Sequence, residues 1–258
     1  MPASRLIIQT LPDFPDVHPG NHLAAMIVER MSLSGIDFQD HDVLCISSKI
    51  VSKAENRFVD LRTIEPSPRA EELAGITHKS SAMVELILQQ STMVSRAAPY
   101  VLVVRHRLGF VCANAGIDQS NLGIDNPDIA LLLPENPSAS AKHIRTYIGD
   151  QTGKQVAVVI TDTHGRPFRQ GNLNIAVGIS GVPAVLDERG QPDHYGRTLK
   201  NTITAFADQV AAAAGLITGE AAEGQPVVLI SGLSWQGFSP GTTDDLVRPV
   251  EKDLYLKN

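Results

Sequence analysis

The sequence predicts one compact unit in which helices and strands are mixed, and three observations carry that reading. Short apolar runs at Asp42–Ile46, Gln155–Ile160 and Val227–Ile230 have the length and continuity of core strands. Between them lie segments whose apolar residues recur at intervals of three and four, the spacing of a helix face. No internal repeat, linker or low-complexity block divides the 258 residues, so residues 1–258 read as a single unit, at most two interleaved subdomains.

The elements follow in order. Ser4–Thr10 (SRLIIQT) reads as an opening strand, and the Pro-rich turn Leu11-Pro12-Asp13-Phe14 follows it. Asn21 is placed to cap a helix whose apolar face is Leu23, Met26, Ile27 and Met31. The run Asp42–Ile46 ends in Ser47-Ser48-Lys49, a polar, basic loop at a strand end, where mixed architectures hold ligands. Ser67 before Pro68 starts a helix, because the first helical turn needs no N–H from proline. A second helix covers Ser81–Gln90, and Val101–Arg105 with Gly109–Ala113 forms a hairpin around His106-Arg107-Leu108. Ser138 opens a helix ending near Gly149. Gln155–Ile160, between Gly153 and the polar Thr161-Asp162-Thr163, predicts a central strand buried on both faces. Thr198–Leu216 is predicted as one long helix with Ile203, Phe206, Ala207, Val210, Ala211 and Ala214 on its apolar side. Val227–Ile230 is the last core strand, and a tail rich in Gly, Ser and Asp runs from Leu233 to Asn258.

Composition narrows the function classes. Hydrophobic residues make up 43% and charged residues 19%, an ordinary globular balance. The net charge of −6 argues against a nucleic-acid partner, which needs a surplus of Lys and Arg. Cys45 and Cys112 sit in separate apolar runs without metal-ligand spacing, and read as buried thiols of a reducing compartment. The N-terminal apolar stretch is too short for a signal peptide, and Ile203–Thr218 carries Asp208 and is too short for a membrane span. The expectation is a soluble cytoplasmic protein with no membrane contact.

Three motifs carry chemistry. Ala115–Asn121 offers Asp118, Ser120 and Asn121 within four residues, either as oxygen ligands for a hard divalent cation or as an Asx turn. Ile160–Arg169 places Asp162 and Thr163 at the end of a buried strand. His164, Arg166 and Arg169 follow in a glycine-containing loop suited to phosphate or carboxylate. A helix N-cap by Asp162 or Thr163 would leave both arginines unexplained. Ser47–Lys53 (SSKIVSK) supplies hydroxyls and lysines, as a phosphate cradle or a solvated turn. A fourth polar stretch, Asp187–Thr198, offers Asp187, Asp193 and Arg197, with helix capping and an ordered loop as the plainer reading. No Walker A loop, GxGxxG fingerprint, kinase signature or GxSxG elbow occurs.

Taken together, CANAGIDQSN (112–121), ITDTHGRPFRQG (160–171), AVGISGVPAVLDERGQPDHYGRTL (176–199) and ITAFADQVAAAAGLITGE (203–220) resemble the coenzyme F-420-0:L-glutamate ligases. The likeness continues from LPDF at Leu11–Phe14 through SSKIVSKAENR to PVVLISGL. It implies an unusual two-part α+β fold with a mixed sheet, neither Rossmann nor P-loop, in a homodimer. It also implies GTP as co-substrate, with L-glutamate and coenzyme F-420-0 as the partners joined, and two divalent ions, Mg2+ or Mn2+, with K+ beside them. By that resemblance Asp118 and Asp162 hold the first metal and Thr163 contacts the second. Leu11, Pro12, Asp13, Phe14, Ser48, Lys49, Lys53 and Asn121 line the GTP site. The chain departs from the family pattern where an acidic Gly-Glu-Gly-type stretch is expected. It has Trp235–Thr243 there, with Gln236 as the candidate metal ligand. Residue chemistry alone nominates Arg166 and Arg169 to position anionic groups and His164 as a candidate general base. The implied reaction activates a carboxylate as an acyl phosphate, which the glutamate amine attacks, and further γ-linked glutamates follow in the same way. A metal-dependent phosphotransferase and a non-catalytic nucleotide-binding module are the alternative readings. The flavin-binding C-terminal domain fused to some relatives is not expected in this stand-alone form.

Overall fold

The structure, a computed structural model, describes residues 5–123, 126–235 and 237–253. Its centre is a five-stranded mixed sheet ordered β1-β12-β2-β8-β9, built from Ile7–Thr10, Val227–Ser231, Val43–Ser47, Ala157–Arg166 and Arg169–Ser180. Only β2 and β8 pair in parallel; the other neighbours are antiparallel. The continuous apolar runs are explained by burial on both faces. Leu44, Ile46, Val158, Ile160 and Leu229 face helices α1 (Leu23–Leu33) and α5 (Pro137–Thr152). Val43, Cys45, Ala157, Val159 and Val228 face α6 (Phe206–Thr218). The start of α5 packs so closely on β9 that a Cβ at Gly178 would lie 2.5 Å from the carbonyl carbon of Pro137.

A second region is inserted between β2 and α5. It contains α3 (Pro68–Thr77), α4 (Ser81–Gln89) and the antiparallel sheet β4-β5-β6, formed by Ser91–Ala98, Val101–His106 and Val111–Ala113. Its own core comprises Leu73, Val84, Ile87, Leu102 and Val104. A short antiparallel pair, β3 (Phe58–Asp60) with β7 (Ile129–Leu131), joins this region to the rest. The architecture is therefore mixed α+β with several sheets, and the central sheet is not the all-parallel Rossmann type. Among the described residues, no helix is long and apolar enough to cross a membrane.

The structure corrects several local expectations. His22, not Asn21, caps α1: its Nδ1 accepts from the Ala25 amide, while Asn21 Oδ1 accepts from the His18 amide. The polar segment after β2 is no loop but the start of α2 (Ser48–Ala54), because its apolar Ile50 and Val51 belong to the main core. Helix α5 starts at Pro137 with Asn136 as its cap, one turn position before Ser138. The helix expected from Thr198 begins only at Phe206. Residues before it instead form the small hairpin β10 (Leu186–Asp187) and β11 (Ile203–Thr204). Backbone pairing of Glu188 with Thr202 and of Gly190 with Leu199 continues that hairpin. Strand β4 was not signalled, its alternation being broken by two register shifts.

Candidate active site

The parallel strands β2 and β8 end side by side, and their ends open into a cleft of about 680 Å3. Ser48, Lys49 and Lys53 reach it from α2, Asp118 and Asn121 from the segment after β6, and Asp162 and Thr163 from β8. Phe14 and Asp16 close one side, and Gly219–Gly224, the segment after α6, closes another.

Backbone geometry explains how two distant motifs meet. Asn114, Ala115 and Gly116 take φ values of 51°, 53° and 64°, a left-handed turn that redirects the chain after β6. Asp118 then pairs its backbone with Leu131. A Cβ on Gly116 would crowd Leu133 at 2.8 Å and φ there is +64°, so glycine suits this passage beside Asp162, whose Oδ2 would lie at an ordinary 3.5 Å.

Both candidate metal carboxylates are engaged. Lys49 Nζ lies 2.7 Å from Asp118 Oδ2, while the Ser120 amide and hydroxyl donate to Asp118 Oδ1 at 2.7 and 2.8 Å. Burial pushes the Asp118 carboxyl up, but Lys49 and the Ser120 donors outweigh it, and the net shift is downward. Asp162 accepts from Ser48 Oγ at 2.7 Å on Oδ1 and from His164 Nε2 at 3.0 Å on Oδ2. Ser48, expected to face nucleotide, thus spends its hydroxyl on Asp162. Lys53 is almost fully buried, and burial lowers its pKa against the opposing pull of Asp16.

Asp162, Thr163 and His164 lie on a ladder strand, since β8 runs on into an antiparallel hairpin with β9 where a loop was expected. Thr163 Oγ1 sits 3.1 Å from Asn174 Oδ1 and 2.9 Å from Glu220 Oε1. Glu220 is the residue that sequence reasoning missed. It belongs to Gly219-Glu220-Ala221-Ala222-Glu223-Gly224, an acidic stretch bounded by glycines that follows α6 and lines the cleft, and that pattern was the available signal.

The other expected residues divide between the cleft and places outside it. Leu11 is in the core, Pro12 O and Asp13 engage Arg30, and Phe14 alone of that turn lines the cleft. Asn121 Nδ2 donates to Ala221 O and so ties two cleft walls together. Arg166 and Arg169 lie at the tip of the β8–β9 hairpin, outside the cleft lining, and Arg166 donates to the carbonyls of Gln170 and Gly171. Gln236 lies outside the described residues; its neighbour Trp235 packs against His41 and Phe206. Asp187 pairs with Arg189, and Asp193 accepts from the amides of Tyr195 and Arg197, so that stretch is an ordered turn.

The donors suit a hard divalent cation that shares its shell with phosphate. Among the described residues no three His, Cys, Asp or Glu side chains converge as a closed metal cage. Mg2+ does not need one: it binds through one or two carboxylates, with waters and substrate phosphates completing an octahedron. Asp118 and Asp162, with Thr163 and Glu220, offer such an open set of oxygens among the residues that line the cleft.

Comparison with known proteins identifies the family. Residues 13–232, which include every residue lining the cleft, match the family described as "F420-0:Gamma-glutamyl ligase". The chain is 42% identical to "Coenzyme F420:L-glutamate ligase" of Methanothermobacter thermautotrophicus, over 93% of this chain and 95% of that protein. It is 44% identical to the protein of that description in Methanopyrus kandleri, over 97% of both chains. For Methanocaldococcus jannaschii the identity is 41%, over 88% of this chain and 91% of the relative. The chain belongs to the F420-0:gamma-glutamyl ligase family.

Proposed function

We propose that this chain joins L-glutamate to coenzyme F-420-0, using GTP and divalent cations, through an acyl phosphate. The observation that carries the reading is the cleft, where two lysines and two carboxylates from three separate segments meet. Such a site suits a polyphosphate with its counter-ion, and the family membership supplies the acceptor and the amine.

A carboxylate does not condense with an amine in water, because its oxide is a poor leaving group. Transfer of the GTP γ-phosphoryl group to the precursor carboxylate gives an acyl phosphate and GDP. The neutral glutamate amine then attacks the acyl carbon, the C–O bond to phosphate breaks, and the amine gives up a proton as the amide forms. Lys49 and Lys53 bind and orient the phosphates, while Asp118, Asp162, Thr163 and Glu220 hold the divalent ions, which neutralise charge on the phosphoryl oxygens. Arg166 and Arg169 stand outside the cleft lining, at the tip of the β8–β9 hairpin, and take no part in these steps. Further γ-linked glutamates follow by the same chemistry.

Mass spectrometry of purified protein with precursor, GTP and Mg2+ or Mn2+, with and without glutamate, tests this reading. The expected product gains glutamate mass and no phosphate mass, with GDP and phosphate released in step. Hydroxylamine in place of glutamate traps the activated carboxylate as a hydroxamate. A stable phosphorylated product whose yield ignores glutamate would overturn the ligase reading in favour of a phosphotransferase.

A further inference from the structure

His164 is a charge-capable side chain buried to 6% exposure beside Asp162, and the reaction above gives it no step. A carboxylate has only acceptor sites, so the 3.0 Å contact with Asp162 Oδ2 makes Nε2 the protonated nitrogen of the ring. Ser48 Oγ binds the other oxygen, and the two donors together fix the plane of the carboxylate.

The ring of His164 is itself clamped from the inserted region. Phe110 lies against it with centroids 5.0 Å apart, and Phe110 is stacked on His106 at 5.1 Å with only 7° between the planes. His106 is buried, and its Nδ1 accepts the Leu108 amide, which locks the turn that carries Phe110. Burial holds the His106 pKa at about 4, so this ring is neutral near pH 7 and adds no charge behind the site. Three rings thus run from the turn after β5 to the carboxylate on β8.

We propose that His164 is a positioning residue that holds Asp162 in its metal-ligating orientation, and that the His106–Phe110 turn fixes His164 from the inserted region. This rests on the reading of Asp162 as a metal ligand. The lone pairs left on Oδ1 and Oδ2 are directed by these two donors, and without His164 the carboxylate rotates about its Cβ–Cγ bond. Partners one step removed from a metal govern its affinity in this way.

Mn2+ binding, read by electron paramagnetic resonance on folded protein without substrates, tests the proposal. His164→Leu removes the donor and is expected to weaken Mn2+ binding roughly ten- to a hundred-fold. His164→Gln places an amide nitrogen close to the Nε2 position and is expected to restore most of the affinity. Phe110→Leu, which touches neither oxygen, is expected to weaken Mn2+ binding by a smaller factor and to raise the KM for metal more than it lowers kcat. His164→Asn, too short to reach Oδ2, supplies the comparison with His164→Gln should the leucine variant not fold. If Asp162→Asn weakens Mn2+ binding while the Leu and Asn variants keep the parent affinity, the positioning role is overturned and the ligand reading stands. If Asp162→Asn itself keeps the parent affinity, the ligand reading falls and the positioning role falls with it.

Discussion

Lys49 holds Asp118 in the cleft as an ion pair of 2.7 Å, so one candidate metal carboxylate carries a cation from its own chain. A divalent ion arriving at Asp118 must compete with that ammonium, and incoming phosphate is the natural new partner for the released lysine. Lys49→Met is therefore expected to tighten Mn2+ binding in the absence of nucleotide, by about fivefold if the partly exposed pair contributes about 1 kcal/mol. The same substitution is expected to weaken GTP binding. Opposite signs in the two titrations are the signature, and Mn2+ binding that weakens instead would refute the exchange.

Lys53 is the more buried of the two cleft lysines and makes no ion pair among the described residues. A desolvated ammonium facing the cleft needs an anion, which on the proposed reading the phosphates of GTP would supply. Lys53→Ala is expected to lose roughly 1.5–3 kcal/mol of GTP binding and to leave glutamate binding nearly unchanged. Calorimetry that found unaltered GTP affinity would remove Lys53 from the nucleotide site.

His106 makes acid stability a local property. Its folded pKa is about 4, pushed down from 6.5 chiefly by burial, with Arg107 adding to the effect. The unfolded chain therefore takes up the proton first as pH falls. The stability contributed is complete above pH 6.5 and is lost toward pH 4, amounting to about 3 kcal/mol over the window. His106→Asn keeps an acceptor for the Leu108 amide without the titration. Urea unfolding from pH 7 to pH 4.5 is expected to show a shallower decline for that variant than for the parent.

Much of this molecule was legible because its core strands are buried on both faces. Asp42–Ile46, Gln155–Ile160 and Val227–Ile230 read as strands because their apolar residues run on without a polar interruption, and the strands observed are Val43–Ser47, Ala157–Arg166 and Val227–Ser231. Asp118 and Asp162 were legible as chemistry because each stands where an apolar run gives way to polar residues. Sequence spacing did not show which partner each polar side chain takes. Ser48 on Asp162, Thr163 on Glu220 and Asn121 on Ala221 are contacts between segments 57 to 114 residues apart. The hairpin over Leu186–Thr204 was hidden for a related reason: its first arm reads as a polar loop, Ile203 of its second arm falls at helical spacing with Phe206 and Ala207, and backbone pairing between the arms overrode both patterns.

The shift of register between Ile160 and Thr161 divides β8 into a stretch that builds the sheet and a stretch that carries Asp162, Thr163 and His164. Alternation along a strand is strict, so adding or removing one residue between Ala157 and Asp162 would turn the carboxylate to the opposite face. Point replacements of Val158 by Ile or of Val159 by Leu cost only packing, whereas a single-codon insertion or deletion there would erase the site while leaving most of the sheet intact. Divergence within this strand is thus confined to exchange of side chains at constant length, and length variation among such proteins is expected to accumulate in turns such as Glu188–Lys200 instead.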